Sequence, residues 1–283
     1  MSQQLLASMS ADAPTTALAF FFVSMVLSIS FSEKTTSISR KQTIFLCLAA
    51  VMLSMCKIVY VALLPILFLI PLNAAGTNRK SLWIRSAILL GLCAVLNLIW
   101  LSVSSTYLVR LSGTADSSAQ VAGILLHPIA FVEAILRTVN GSTAEFAAQM
   151  AGSQLGRLDV ATTHVVWITM IAMLIYEASR SRSRIAGKCD SSRIVLLLSV
   201  LGACLLIFTS LYVQWTDVAA RDIIGIQGRY FIPLLPALIA LFSLSSAQSH
   251  QEECLPRPSL TVFTAAVMNG LALFDLCTAY HLI

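Results

Sequence analysis

The sequence predicts an all-α polytopic membrane protein, and three observations support that fold class. Hydrophobic residues make up 58% of the chain and charged residues only 11%, whereas soluble domains carry about 25% charged residues. The apolar residues are gathered into stretches of roughly 15 to 22 residues, about the length that a helix needs to cross a bilayer. Lys and Arg collect between these stretches. A water-soluble globule is excluded, because it could not bury this much apolar surface.

We expect about eight transmembrane helices in a single transmembrane domain over residues 1–283. The apolar segments are 13–31, 43–56, 58–72, 82–103, 161–179, 194–213, 230–247 and 260–281. The second and third segments meet at Lys57, which interrupts an apolar stretch far longer than one crossing. This interruption predicts a hairpin of two short helices that turns near one membrane surface, rather than a single tilted span.

The distribution of positive charge predicts the orientation of the chain. Most of the 18 Lys and Arg residues lie in four connecting stretches, 32–42, 73–85, 180–193 and 248–259. An eight-helix topology puts all four stretches on the same face of the membrane. Because short cytoplasmic loops are enriched in Lys and Arg, we place this face in the cytoplasm and both termini outside.

This orientation predicts the reactivity of two loop cysteines. Cys189 and Cys254 lie in polar loops assigned to the cytoplasm, whereas the other cysteines lie in apolar segments. A membrane-impermeant thiol reagent should leave both residues unlabelled in intact cells, because the bilayer separates them from the reagent. Permeabilisation should make both reactive. Labelling of both in intact cells would overturn the orientation.

The long outer loop, residues 104–160, predicts amphipathic helices that lie on the membrane surface. The first covers residues 128–139 and begins with Pro128, a residue favoured in the first turn of a helix. Its apolar residues recur at helical spacing on one face. We expect this helix to stop at Asn140 and Gly141, since Gly commonly follows the last turn.

A second short helix is predicted immediately afterwards. Ser142 and Glu145 have the spacing of a capping box, and Gly152 is suited to end the helix. Two interpretations of the loop remain open. The helices form either a structural lid over the outer ends of the bundle or a lid over a site that faces lipid, because such helices hold an apolar face at the acyl boundary.

Arg229 is the first candidate binding residue. It follows two glycines, Gly225 and Gly228, that free the backbone for a turn, and it stands where an apolar segment begins. The planar guanidinium is suited to bidentate contact with a phosphate, so Arg229 is a candidate ligand for a lipid phosphate or diphosphate. The alternative is an interfacial anchor, in which Arg229 snorkels beside Tyr230.

Lys57 is the second candidate, because it stands alone in an apolar stretch. A lysine at the apex of a membrane hairpin can simply reach the interface. The other interpretation is that it faces a polar cavity and pairs with an anion or an acidic neighbour.

Several other classes of site find no support. The net charge is +5, but no basic stripe is interleaved with aromatic residues, so we expect no nucleic-acid partner. The four histidines share no metal-ligand spacing and the seven cysteines no CxxC spacing, so neither a metal site nor a disulfide framework is indicated. The chain has no Walker-type loop and no GxSxG motif.

The residues around Arg229 carry a resemblance to a known family. The run from Gly225 to Pro236, GIQGRYFIPLLP, is similar to the signature of the bacterial membrane family catalogued as domain of unknown function 2142. Supporting pieces occur in the same order along the chain: Ser10 to Ala13, Lys57 with Tyr60 and Pro65, His127-Pro128, and Leu155-Gly156 with Leu158-Asp159. The family resembles the C-type glycosyltransferases, which use polyprenyl-phosphate-linked sugars at the outer face of a membrane.

The resemblance implies a glycosyltransferase-like protein of the bacterial inner membrane that assembles cell-envelope polysaccharide or a surface glycan. Its partner would be a polyprenyl-phosphate lipid or a lipid-linked sugar. Asp12 would be a supporting acid or metal ligand, and Lys57, Gln227, Arg229 and Tyr230 would bind substrate. Cationic side chains or a divalent metal would steady the departing lipid phosphate.

One departure from the resembled enzymes changes the expectation. They carry their main catalytic carboxylate in the first outer loop, after the first span, and no acidic stretch occurs there in this chain. The chain therefore resembles the C-terminal portion of the family pattern. We expect glycosyl transfer only if the missing helices are supplied elsewhere. The alternatives are a translocator or binding subunit for lipid-linked sugar, and a non-catalytic remnant.

Overall fold

The computed structural model describes residues 11–31, 38–71, 78–105, 116–155, 158–180, 190–218, 220–244 and 258–281. These residues are almost entirely helical. The elements are α1 (Asp12–Phe31), α2 (Arg40–Cys56), the 3₁₀ helix η1 (Ile58–Leu69), α3 (Arg79–Ser105), α4 (Ser117–Leu126), α5 (Pro128–Ala151), β1 (Gln154–Leu155), β2 (Val160–Ala161), α6 (His164–Arg180), α7 (Asp190–Trp215), the 3₁₀ helix η2 (Gly228–Leu234), α8 (Leu235–Leu244) and α9 (Pro258–Ala279). Strands β1 and β2 pair as a minimal antiparallel ribbon. The predicted all-α polytopic membrane class is confirmed.

The number of spans is lower than expected when helix length is the criterion. Within the described ranges, α1, α3, α7 and α9 are long and apolar enough to cross a membrane. A fifth span is added if α4 and α5, which meet at a bend of 106°, form one broken span. In the described residues each of the eight predicted segments is largely helical, but α2, η1, α6 and the η2–α8 pair each have fewer than 18 residues. The count of eight is therefore not confirmed and stays a prediction.

The junction at Lys57 agrees with the predicted break between two short helices. α2 ends there, Lys57 itself is extended, with φ −153° and ψ 118°, and η1 begins at the next residue. Asp12 at the start of α1 contacts Lys57 at the end of α2, so α1 and α2 run antiparallel. A 3₁₀ helix rises about 2 Å per residue, so η1 extends over roughly 24 Å and covers most of a hydrocarbon core of about 30 Å.

The core of the bundle is centred on η1. This helix packs against α1, α2, α3 and α7. Its inward side chains are almost completely buried: Tyr60, Leu63, Leu64 and Ile66. Because neighbouring helices surround it, a short helix with Pro65 in its interior is held without a full α-helical hydrogen-bond ladder.

The outward faces of the long helices are apolar. On α3 and α9, large hydrophobic side chains such as Trp100, Leu98, Phe263 and Phe274 are more than half exposed. In water such surface would drive aggregation, whereas in a bilayer it faces acyl chains. The exposed apolar belt is thus the lipid-facing surface that the composition predicts.

The prediction of two helices in residues 128–152 is wrong at one point. α5 begins at Pro128 as expected, but it continues through Asn140 and Gly141 to Ala151. Gly152 then ends it in the left-handed conformation, with φ 98°, as predicted. Asn-Gly has only a weak intrinsic preference against helix, and tertiary packing of α5 overrides it.

The predicted orientation stays a prediction. Each of the four basic connecting stretches lies partly outside the described residues, and Cys189 and Cys254 lie outside them.

Candidate functional site

Three charged side chains from three separate elements meet at one end of the bundle. Asp12 begins α1, Lys57 joins α2 to η1, and Arg229 lies in η2. The carboxylate of Asp12 accepts a hydrogen bond from the ammonium group of Lys57. Its second oxygen, Oδ2, lies 3.3 Å from Nε of Arg229. The sequence indicated each residue separately, and the fold brings them together as one group, which we call the charged cluster.

The charged cluster has more positive than negative charge. Within the described residues, the two cations share the single carboxylate of Asp12. The side chains of Lys57, Arg229 and Asp12 are 28%, 22% and 10% exposed, so solvent screens them only in part. At an effective dielectric constant near 20, one such cation attracts an anion about 4 Å away by about 4 kcal/mol, and the negative charge of Asp12 opposes part of this attraction. The cluster is therefore suited to bind an anionic group.

The ring of Tyr230 lies beside both cations. Nζ of Lys57 is 4.5 Å from the ring centroid, and Cζ of Arg229 is 5.6 Å from it. Both distances are in the range of cation–π attraction. The carbonyl of Tyr230 also accepts a hydrogen bond of 2.8 Å from the hydroxyl of Tyr60, which fastens η2 to η1. Arg229 is thus held against both Asp12 and Tyr230, with its side chain 22% exposed.

Gly228 sets the position of Arg229 by a close backbone approach. A Cβ at Gly228 would lie 2.3 Å from the carbonyl oxygen of Phe146 and 2.8 Å from the nitrogen of Met150, both in α5. The Gly228 N–H donates a buried hydrogen bond of 2.7 Å to Oε1 of Gln149. No residue other than glycine fits this contact without displacement of α5.

α5 supports the whole segment that leads to Gly228. The hydroxyl of Thr138 accepts a hydrogen bond of 2.9 Å from the N–H of Ile223. The rings of Phe146 and Phe231 lie 5.8 Å apart. The predicted surface helix is thus the element against which the charged cluster is assembled, and these supporting residues carried no signal of their own in the sequence.

Gln227 has an unsatisfied group near the cluster. Its Oε1 is buried and accepts no hydrogen bond within the described residues. Nε of Arg229 is also buried without an aligned hydrogen bond, although it lies within ion-pair distance of Asp12. An unpaired buried polar atom costs about 1–3 kcal/mol, so a donor for Gln227 would relieve a penalty.

A cleft of about 250 Å³ opens beside the cluster, between η1 and α7. Its lining residues are Lys57, Ile58, Val59, Tyr60, Ile207, Ser210, Leu211, Gln214 and Tyr230. Lys57 thus borders the cleft directly, whereas Asp12 and Arg229 are not part of its lining. Ser210 and Gln214 were not predicted to be functional residues. The sequence signal for them was two polar residues, four apart, at the end of an apolar segment.

A larger cavity of about 380 Å³ lies at the bend between α4 and α5. His127 and Glu133 are its ionisable lining residues, and no member of the charged cluster reaches it. We place the candidate site at the smaller cleft, because there a cation faces a partly apolar cavity.

The charged cluster does not fit a divalent metal. Asp12 is its only acidic residue in the described part of the chain and is already paired with two cations. The described residues contain no group of three or more His, Cys, Asp or Glu side chains that could hold a metal ion.

The comparisons with known proteins give one family. A family model described as "Predicted membrane protein (DUF2142)" matches residues 1–238, which include the charged cluster and the cleft. No curated protein and no solved structure matches the chain.

Proposed function

We propose that this chain, which belongs to the DUF2142 family of predicted membrane proteins, binds the phosphate of a polyprenyl-phosphate-linked sugar beside Lys57. In this proposal it acts in glycosyl transfer at the outer face of the bacterial inner membrane, during assembly of cell-envelope polysaccharide or glycan. The observation that supports it is the pairing of two cations with one carboxylate at the edge of a cleft with apolar walls.

The lining of the cleft suits a lipid phosphate better than a soluble anion. Lys57 supplies the charge, and Ile58, Val59 and Leu211 supply apolar surface next to it. A phosphate carried on an isoprenoid chain can meet both at once, because its chain stays among acyl chains while its head group reaches the lysine. A soluble phosphate would gain nothing from the apolar walls.

In the transfer step, the acceptor oxygen forms a bond to the sugar carbon while the bond from that carbon to the phosphate oxygen breaks. The electron pair of the broken bond stays on the phosphate, and the acceptor hydroxyl loses its proton to a base. The ammonium group of Lys57 offsets the charge that develops on the departing phosphate. Arg229 and Asp12 position Lys57 and Tyr230, because both lie behind the cleft lining.

A second candidate is a translocator or binding subunit for lipid-linked sugar. It is favoured by the state of Asp12, whose carboxylate is paired with two cations and is poorly placed to serve as the base. Binding without transfer needs only the charged cluster and the cleft.

The test uses the purified full chain in nanodiscs with a radiolabelled polyprenyl-phosphate-hexose. Binding together with transfer of the hexose from its lipid to an added glycan acceptor, in wild type but not in Lys57→Gln, supports the glycosyltransferase role. Binding without transfer, or movement of the label across proteoliposomes, supports the second candidate. Failure to bind the lipid contradicts both.

Arg229→Lys gives a specific prediction. Lysine keeps the positive charge but loses the planar fork that faces Asp12 and Tyr230. Arg229 positions Lys57 and Tyr230 from outside the cleft lining. A cation–π contact of this kind contributes about 0.5–1 kcal/mol, so we expect the affinity for a polyprenyl-phosphate analogue to fall roughly two- to fivefold. Isothermal titration calorimetry in detergent measures this affinity. The control Arg137→Lys, in an exposed ion pair with Glu133, should bind like wild type; equal affinity of Arg229→Lys and wild type would rule out a specific role for the guanidinium.

A further inference from the structure

We infer that Ser210 and Gln214 of α7 form a wall of the cleft that recognises the hydroxyl groups of the sugar joined to the phosphate. The inference rests on the proposed function, since it names the part of the ligand that lies next to Lys57.

The two side chains share one face of α7. Residues four apart are neighbours on a helix surface, and both Ser210 and Gln214 line the cleft. Nε2 of Gln214 lies 3.4 Å from Oγ of Ser210, which is a long hydrogen bond. Within the described residues this is the one hydrogen bond that the Gln214 side chain forms, and Gln214 is exposed. Its amide oxygen and its second N–H can therefore meet a ligand in the cleft.

The chemistry of these groups points to hydroxyls rather than to a second phosphate. An amide offers two N–H donors and an oxygen that accepts, and a serine hydroxyl both donates and accepts. A phosphate at neutral pH is mainly an acceptor, so the amide oxygen of Gln214 would be without a donor beside it. The hydroxyls of a sugar both donate and accept hydrogen bonds. They can therefore pair with both the N–H donors and the oxygen of the Gln214 amide.

The size of the cleft confines recognition to the head group. Its volume of about 250 Å³ is below the roughly 300–1,000 Å³ of pockets that enclose a drug-sized ligand. With the phosphate at Lys57, a sugar reaches Ser210 and Gln214, and the isoprenoid chain remains outside among the exposed apolar faces of the bundle.

The experiment compares two lipids on the same protein. The affinity of the full chain in nanodiscs is measured for polyprenyl phosphate and for the same lipid carrying one hexose. Two added hydrogen bonds predict that wild type prefers the hexose-bearing lipid by about tenfold. In Gln214→Leu this preference should fall toward one. Thr209→Val changes a neighbouring residue of α7 that is not part of the cleft lining, and this variant should retain the full preference.

The outcomes separate this inference from the proposed function. Equal affinity of wild type for the two lipids, or full preference in Gln214→Leu, contradicts sugar recognition by Ser210 and Gln214 but leaves phosphate binding intact. Absence of binding to either lipid contradicts the proposed function itself. If Gln214→Leu does not fold, Ser210→Ala takes its place, and it should lower the preference as well; an unchanged preference in that variant contradicts the inference.

Discussion

Gly228→Ala is expected to destabilise the protein by more than about 3 kcal/mol, because two penalties coincide. The new methyl group would lie 2.3 Å from the carbonyl oxygen of Phe146, so η2 and α5 must separate. Separation also breaks the buried hydrogen bond from Gly228 to Gln149. The measurement is the midpoint of thermal unfolding in detergent, which a fluorescence thermal-shift assay gives.

Gly141→Ala is the matched control for this substitution. Gly141 lies in α5 and has nothing within 4 Å of an added Cβ. Alanine is favoured over glycine inside a helix by up to about 1 kcal/mol, so this variant should be as stable as wild type or more stable. If Gly228→Ala melts at the same temperature as Gly141→Ala, the close contact between η2 and α5 does not exist.

Asp12→Asn is expected to lower the free energy of unfolding by about 3 kcal/mol and to increase the stabilisation that a bound anion gives. The substitution leaves the partly buried charges of Lys57 and Arg229 without the carboxylate that they share. Removal of one partner of a buried ion pair costs about 3–5 kcal/mol, and the partial exposure of the two cations argues for the lower value. A polyprenyl phosphate should therefore raise the melting temperature of Asp12→Asn more than that of wild type.

Glu133→Gln separates this effect from the mere loss of one acidic residue. Glu133 pairs with Arg137 on the exposed side of α5, with side chains more than half exposed. Exposed ion pairs contribute about 0–1 kcal/mol, so the variant should melt close to wild type. An Asp12→Asn protein as stable as Glu133→Gln would mean that the charged cluster contributes little to the fold.

Composition and charge predicted the fold class and the positions of the helical segments, because the bilayer imposes a simple rule on each segment by itself. The break at Lys57 was also predictable, since one charge interrupts a long apolar stretch. The 3₁₀ conformation of η1 was not predictable. Whether a short apolar segment becomes a 3₁₀ or an α helix depends on the helices around it, and a sequence does not show those contacts locally.

The contacts within the candidate site also could not be predicted from the sequence. Asp12 and Lys57 are 45 positions apart in sequence, and neither residue type alone indicates that they meet. The resemblance to a family indicated these positions, whereas the contact itself depends on how α1, α2 and η2 pack. Gln149 and Thr138 were missed entirely, because a buried polar residue that supports a neighbouring backbone looks like any other polar residue of an amphipathic helix.

The most direct test of phosphate binding at the charged cluster compares a charged and a neutral lipid. The affinities of wild type and Lys57→Gln, in matched nanodiscs, are measured for polyprenyl phosphate and for the corresponding uncharged polyprenol. Wild type should prefer the phosphate by at least about tenfold, and Lys57→Gln should lose most of this preference because the cation that borders the cleft is gone. Equal affinity of wild type for the two lipids, or an undiminished preference in a folded Lys57→Gln protein, would contradict phosphate binding at this site.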